Sequence, residues 1–171
     1  MATSARRVEG PPEQVAAVLR ERIYGGIACL STLLVLVRNG EVDSTAWGAF
    51  LDVLIATGGL WAASLLADYV SHLAAHGERP HGQEAVAVLR ASNQILEAAW
   101  IPLLLLALAG LGVMSLTPAL RAGVWVSVIT LGLFALLAVR RTELPGWQRA
   151  IVVVALLGLG ALVVLLKTLA H

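Results

Sequence analysis

Between residues 57 and 97 the chain sets acids, amides, hydroxyls and histidines at helical spacing within or beside apolar segments, a pattern suited to handling a cation or a proton. At the helical step, Thr57, Trp61, Ser64, Asp68, Ser71 and His72 share an arc of about 100°. Gln83, Arg90, Gln94 and Glu97 share an arc of about 60° on the following helix, with Asn93 beside them. Folding this segment back on itself at residues 79 and 80 sets Asp68 level with Arg90 and Trp61 level with Ala98, so Asp68 and Arg90 are expected ion-pair partners. Arg22 and Glu97 form the second expected pair, because an ionisable group at the membrane boundary is costly unless it is paired or meets water. Tyr24 is placed to add a hydroxyl.

In the functional reading, Arg22, Tyr24, Ser64, Asp68, Arg90, Asn93, Gln94 and Glu97 line an ion pathway or gate, with Glu97 as the group that exchanges a proton or attracts a cation. In the structural reading the same charges are interfacial ion pairs that fix the helix hairpin. Asp52 stands apart, near the opposite end of its helix and away from the stripe. It is expected to pair with Arg38 or Arg121, or to serve as an outer gate or binding position. Asp68, His72 and His76 stand four residues apart, so neighbours can share a metal, but the outer two are separated by about 12 Å. His72, His76, His81 and Glu84 are therefore the candidate set for a divalent metal. No HExxH, GxSxG, phosphate-binding glycine loop or CxxC occurs, and no other cofactor is expected.

The elements that position these groups are membrane helices. Five runs lack charge: Ile23 to Val37, Val53 to Ala67, Ala98 to Leu120, Ala122 to Val139 and Ala150 to Leu166. With 58% apolar and 13% charged residues and a mean hydropathy of +0.83, the bilayer is the main solvent. Backbone amides in lipid must be satisfied within their own segment, so each run is expected to be a helix. The fold class is an all-α five-helix transmembrane bundle. Residues 1–11 form a tail and residues 12–171 a single domain, with spans near 18–38, 45–66, 97–117, 121–140 and 148–168.

Pro11 and Pro12 suit the start of a helix that runs straight into the first span. The second helix can continue from Ser44 to His76, well beyond the hydrocarbon, before Gly77, Pro80 and Gly82 break it; the third starts near Gln83. These two make a protruding hairpin. Pro102 is expected to kink the third span, and Pro118 to Arg121 to form the turn before the fourth. Trp47 and Trp147 lie where interfacial aromatics are favoured.

Arg6, Arg7, Arg20, Arg22, Arg79, Arg90, Arg140, Arg141 and Arg149 fall on one side, against Arg38, Arg121 and Lys167 on the other. That asymmetry places the N-terminus in the cytoplasm and the C-terminus outside, in the plasma (inner) membrane. The first ten residues lack an apolar signal core, so the first span is expected to act as an uncleaved anchor. A net charge of +1 with dispersed arginines gives no reason to invoke nucleic acid. Cys29 is the single cysteine and excludes an intrachain disulfide. Small residues four apart at Gly25/Cys29, Gly58/Ala62, Gly59/Ala63 and Gly123/Ser127 permit close helix contact within or between subunits. No internal repeat is visible, which disfavours an inverted-repeat transporter.

The sequence thus points to a small homo-oligomeric ion channel or transporter for a cation or proton. The alternatives are an accessory or scaffold subunit whose hairpin docks a membrane or cytoplasmic protein and, third, a membrane metal-dependent hydrolase.

Overall fold

The computed structural model of the chain describes residues 12–39, 45–140, 145–148, 150, 151, 154 and 158. Four long helices dominate them: α1 (Pro12–Asn39), α2 (Ala46–His76), α3 (Gln83–Gly110) and α4 (Leu116–Arg140). The Thr45 hydroxyl starts α2 by accepting the Gly48 N–H at 3.0 Å, satisfying one of the amides that a helix start leaves without a partner. Gly77 ends it in the left-handed region, φ 72°, with its N–H on the Leu73 carbonyl at 2.9 Å. Gly82, at φ 57°, precedes α3. Both turns need glycine because a Cβ there would crowd the following carbonyl. The long hairpin expected from Gly77, Pro80 and Gly82 therefore has the anticipated ends, and α1 runs unbroken through Arg20, Glu21 and Arg22.

The central pair is α1 and α3, flanked by α2 on one side and α4 on the other. Small residues set that closeness: a Cβ built on Gly25 would lie 2.6 Å from the Ile95 backbone, and one on Gly123 would lie 3.3 Å from Leu33. Cys29, Leu33, Val53, Ala99, Leu106 and Ala119 fill the interior. Large apolar groups also face outward, among them Ile55, Leu66, Trp100, Trp125 and Ile129. An apolar exterior over an apolar core is what lipid solvates and water does not. α2, α3 and the Leu116–Leu136 part of α4 are each long and apolar enough to cross a membrane, as in a multi-pass membrane protein.

One expectation changes, and two others are met only in part or lie outside the described residues. The turn between the third and fourth helices occupies 111–115, not Pro118 to Arg121: Gly112 takes φ 77° and the Val113 N–H returns to the Leu108 carbonyl at 3.0 Å. Pro118 instead sits in the first turn of α4, where its missing N–H would have had no helical partner. α1 is not among the three helices long and apolar enough to span. Its uncharged stretch, Ile23 to Val37, covers only about 22 Å against a hydrocarbon core of about 30 Å. The fifth span, 148–168, falls largely outside the described residues, as do the 1–11 tail, Arg6, Arg7, Arg141, Arg149 and Lys167.

Candidate functional site

The buried face of α1 carries Glu21, Gly25, Cys29 and Leu33 in one row, each a helical turn from the next. Because Gly25 brings α1 against the α3 backbone, the residue one turn earlier is drawn into the same seam. That residue is Glu21, only 2% exposed. A carboxylate so placed must be hydrogen-bonded or ion-paired to stay charged, and it is both. The Ser64 hydroxyl on α2 donates to Glu21 Oε2 at 2.7 Å. Arg20 reaches Oε1 through Nε at 2.9 Å and Nη2 at 2.8 Å. Arg20 Nη2 also lies 3.7 Å from Asp68 Oδ1, so the series Ser64, Glu21, Arg20, Asp68 joins α1 to α2.

Arg22 joins α1 to the other two helices. Its Nη1 donates to Gln94 Oε1 at 2.8 Å and to Glu97 Oε2 at 3.2 Å. Its guanidinium lies 4.4 Å above the Phe134 ring on α4, a cation–π contact strengthened where water is thin. Arg22 Nε and Ser92 Oγ are buried without a hydrogen-bond partner among the described residues. Between α2 and α3, Trp61 Nε1 donates to Asn93 Oδ1 at 3.0 Å. All four helices thus meet in one polar layer, on the side of the bundle nearer the α2–α3 turn. Two guanidiniums, Arg20 and Arg22, face three carboxylates, Glu21, Asp68 and Glu97. By formal charge the set carries one more carboxylate than guanidinium.

The expected Arg22–Glu97 pair is present, with Gln94 added to it. Asp68 pairs with Arg20, not Arg90; α1 lies against α2 and offers the nearer cation, while Arg90 is exposed. Trp61 meets Asn93, about one turn short of the expected Ala98 level. Tyr24 is 51% exposed and makes no hydrogen bond to the cluster. Glu97 has a side chain 55% exposed, so it sits at the rim; the buried carboxylate is Glu21. Asp52 is exposed on α2 and in no ion pair among the described residues, and Arg121 belongs to α4 on the far flank of the bundle.

His72 Nε2 stands 3.5 Å from Glu84 Oε2 and its ring stacks on His76 at 4.4 Å, a clasp across the base of the hairpin. His81 is exposed in the turn. Among the described residues no three His, Cys, Asp or Glu side chains converge as a metal would require, because His72 and His76 stack face to face instead of aiming at a common point. Arg20, Glu21 and Phe134 are the participants that the polar stripes did not reveal. The signal for Glu21 was available: it extends the Gly25, Cys29 small-residue row by one turn. No protein-family model, curated protein or solved structure matches the chain.

Proposed function

We propose that the chain is a small homo-oligomeric membrane channel or transporter for a cation or a proton, and that the polar layer shared by α1, α2 and α3 is its ion-handling site. The single observation that carries this reading is the burial of Glu21 with Ser64 and Arg20 as partners. Ionisable groups in membrane helices are expensive and are retained where ions or protons are moved. The extra carboxylate gives the layer its preference for cations, and Asp68 and Glu97, at its edges, would pass the ion to and from Glu21. The five-span topology belongs to the same proposal, α1 crossing with Arg20, Glu21 and Arg22 paired in the polar layer where its uncharged stretch falls short, and with the N-terminus cytoplasmic and the C-terminus outside, since the arginine asymmetry puts the α2–α3 turn on the cytoplasmic side.

A specific observation favours a second reading, a non-catalytic accessory subunit. Each of the three carboxylates already has a guanidinium within ion-pair distance, as in a network that serves only to hold helices together. Cation and proton flux into proteoliposomes separates the two. Wild-type flux that Glu21→Gln abolishes and Glu97→Gln only reduces supports ion handling. If neither cations nor protons move at any pH tested, while the chain copurifies with a membrane or cytoplasmic protein, it is an accessory subunit.

A further inference from the structure

Of the four small-residue pairs, Gly25/Cys29 and Gly123/Ser127 are used inside the bundle, but the two on α2 meet no helix among the described residues. Among the described residues Gly58 and Gly59 have nothing within 4 Å of a built Cβ, and Ala62 and Ala63 are exposed. Asp52, Gly59, Ala63, Leu66 and Val70 fall within an arc of about 60° on the helix, and all are exposed. Among the described residues this face therefore combines room for another helix with a carboxylate in no ion pair. Asp52 lies six residues past Ala46, about 9 Å along the axis, and its short side chain cannot snorkel as Lys or Arg does. Leaving it against lipid is costly.

A matching cation stands on the opposite flank. Arg121 is exposed on α4, in no ion pair among the described residues, five residues past Leu116 and hence about 7.5 Å along that helix. α2 and α4 both start at the same side of the bundle and run the same way, so the two charges have nearly the same depth. Arg121 shares its face with Trp125, Val128 and Gly132 within an arc of about 60°, and Gly132, like Gly59, has nothing within 4 Å of a built Cβ. With Asp52 level with Arg121, Val128 falls level with Gly59 and Gly132 with Ala63. A bulky residue then faces a glycine at one level, and two small residues meet at the next.

We propose that α2 of one copy packs on α4 of a second copy, with Asp52 paired to Arg121 across the interface, and that repetition of this head-to-tail contact builds the oligomer. Charge decides the mode of association. A two-fold contact between α2 helices about an axis along the membrane normal would set Asp52 against Asp52, and one between α4 helices would set Arg121 against Arg121. Only the heterologous contact pairs opposite charges, and equal depth keeps every copy in the same orientation in the bilayer, as a ring requires. The inference rests on the homo-oligomeric part of the proposed function and supplies its interface.

The test co-expresses two differently tagged chains, one carrying Asp52→Cys and the other Arg121→Cys, with oxidation in native membranes. The native Cys29 is buried, and the wild-type chain provides its control. A disulfide-linked band bearing both tags, absent when either variant is expressed alone, is the expected result. In mild detergent, Asp52→Arg should lower the oligomer fraction about tenfold or more, and adding Arg121→Asp should restore it. Cross-linking between two Asp52→Cys chains would overturn the proposal in favour of an α2–α2 contact. Coupling of Asp52→Cys to Lys167→Cys within one chain would overturn it by giving the α2 face to the chain's own fifth apolar run. A wild-type oligomer without the mixed band refutes this interface alone; a wild-type monomer refutes the oligomer as well. Neither outcome depends on flux.

Discussion

If Ser64 anchors the buried Glu21, the two side chains must be energetically coupled, and the size of that coupling follows from their surroundings. Ser64 donates to Glu21 at 2.7 Å, with Glu21 2% exposed. Hydrogen bonds between membrane helices average about 0.6 kcal/mol and reach about 1.7, and a charged acceptor moves a bond toward the upper end. Ser64→Ala is therefore expected to cost about 1.5 kcal/mol, roughly tenfold in the unfolding equilibrium. Glu21→Gln keeps a carbonyl that accepts from Ser64 but gives up the charge that attracts Arg20. The Arg20 side chain is 52% exposed and can hydrate, so that part is discounted to about 0.5 kcal/mol and the whole substitution to about 1–2 kcal/mol. With Gln at position 21, removing the Ser64 hydroxyl takes away only a neutral bond, about 0.5 kcal/mol. The double variant should then be about 1 kcal/mol more stable than the sum of the singles implies. Denaturation in mixed micelles, followed by far-ultraviolet circular dichroism on all four proteins, measures the cycle. Additivity within about 0.3 kcal/mol would refute a direct bond as the reason Glu21 is buried.

Further consequences concern packing and turns. A Cβ at Gly25 would fall 2.6 Å from the Ile95 backbone, so Gly25→Ala should destabilise by about 2 kcal/mol, read by thermal unfolding in detergent. Gly146→Ala, with open space around it, should change the midpoint by no more than the equivalent of about 0.5 kcal/mol. Gly77→Ala places a Cβ on a left-handed residue at the end of α2 and should cost about 1 kcal/mol, with faster proteolysis at the hairpin turn. Trp61→Phe removes the indole donor to Asn93 and should cost about 1 kcal/mol, part of which Asn93→Leu recovers by removing the orphaned acceptor; the same unfolding assay on the singles and the pair decides it.

What the sequence made legible is what one helix, or two helices joined by a turn, can specify. The α2–α3 hairpin was readable because glycine is needed where the backbone turns left-handed, at Gly77 and Gly82, and because uncharged runs bounded by charge mark helix length. Arg22 with Glu97 was readable because charges near a membrane boundary must find partners. The turn at 111–115 was hidden because Leu111, Val113 and Met114 are as apolar as the helices on either side, so hydropathy does not change there. Gly112 was the available signal, whereas Pro118 drew attention to the wrong place by being tolerated in a first turn.

Asp68 shows where a reading of adjacent elements fails. Pairing it with Arg90 treats α2 and α3 as an isolated hairpin, but α1 lies against both, and a third helix brings its own cation to the same carboxylate. Glu21 was missed for the complementary reason. Beside Arg20 and Arg22 it resembles part of a solvated charge run, and only the row it continues with Gly25, Cys29 and Leu33 identifies it as facing inward. The small residues that bring helices close also determine which polar residue, one turn away, is buried with them. Gly59, without a neighbour among the described residues and on the same face as Asp52, is the feature on which the proposed contact with a second copy rests.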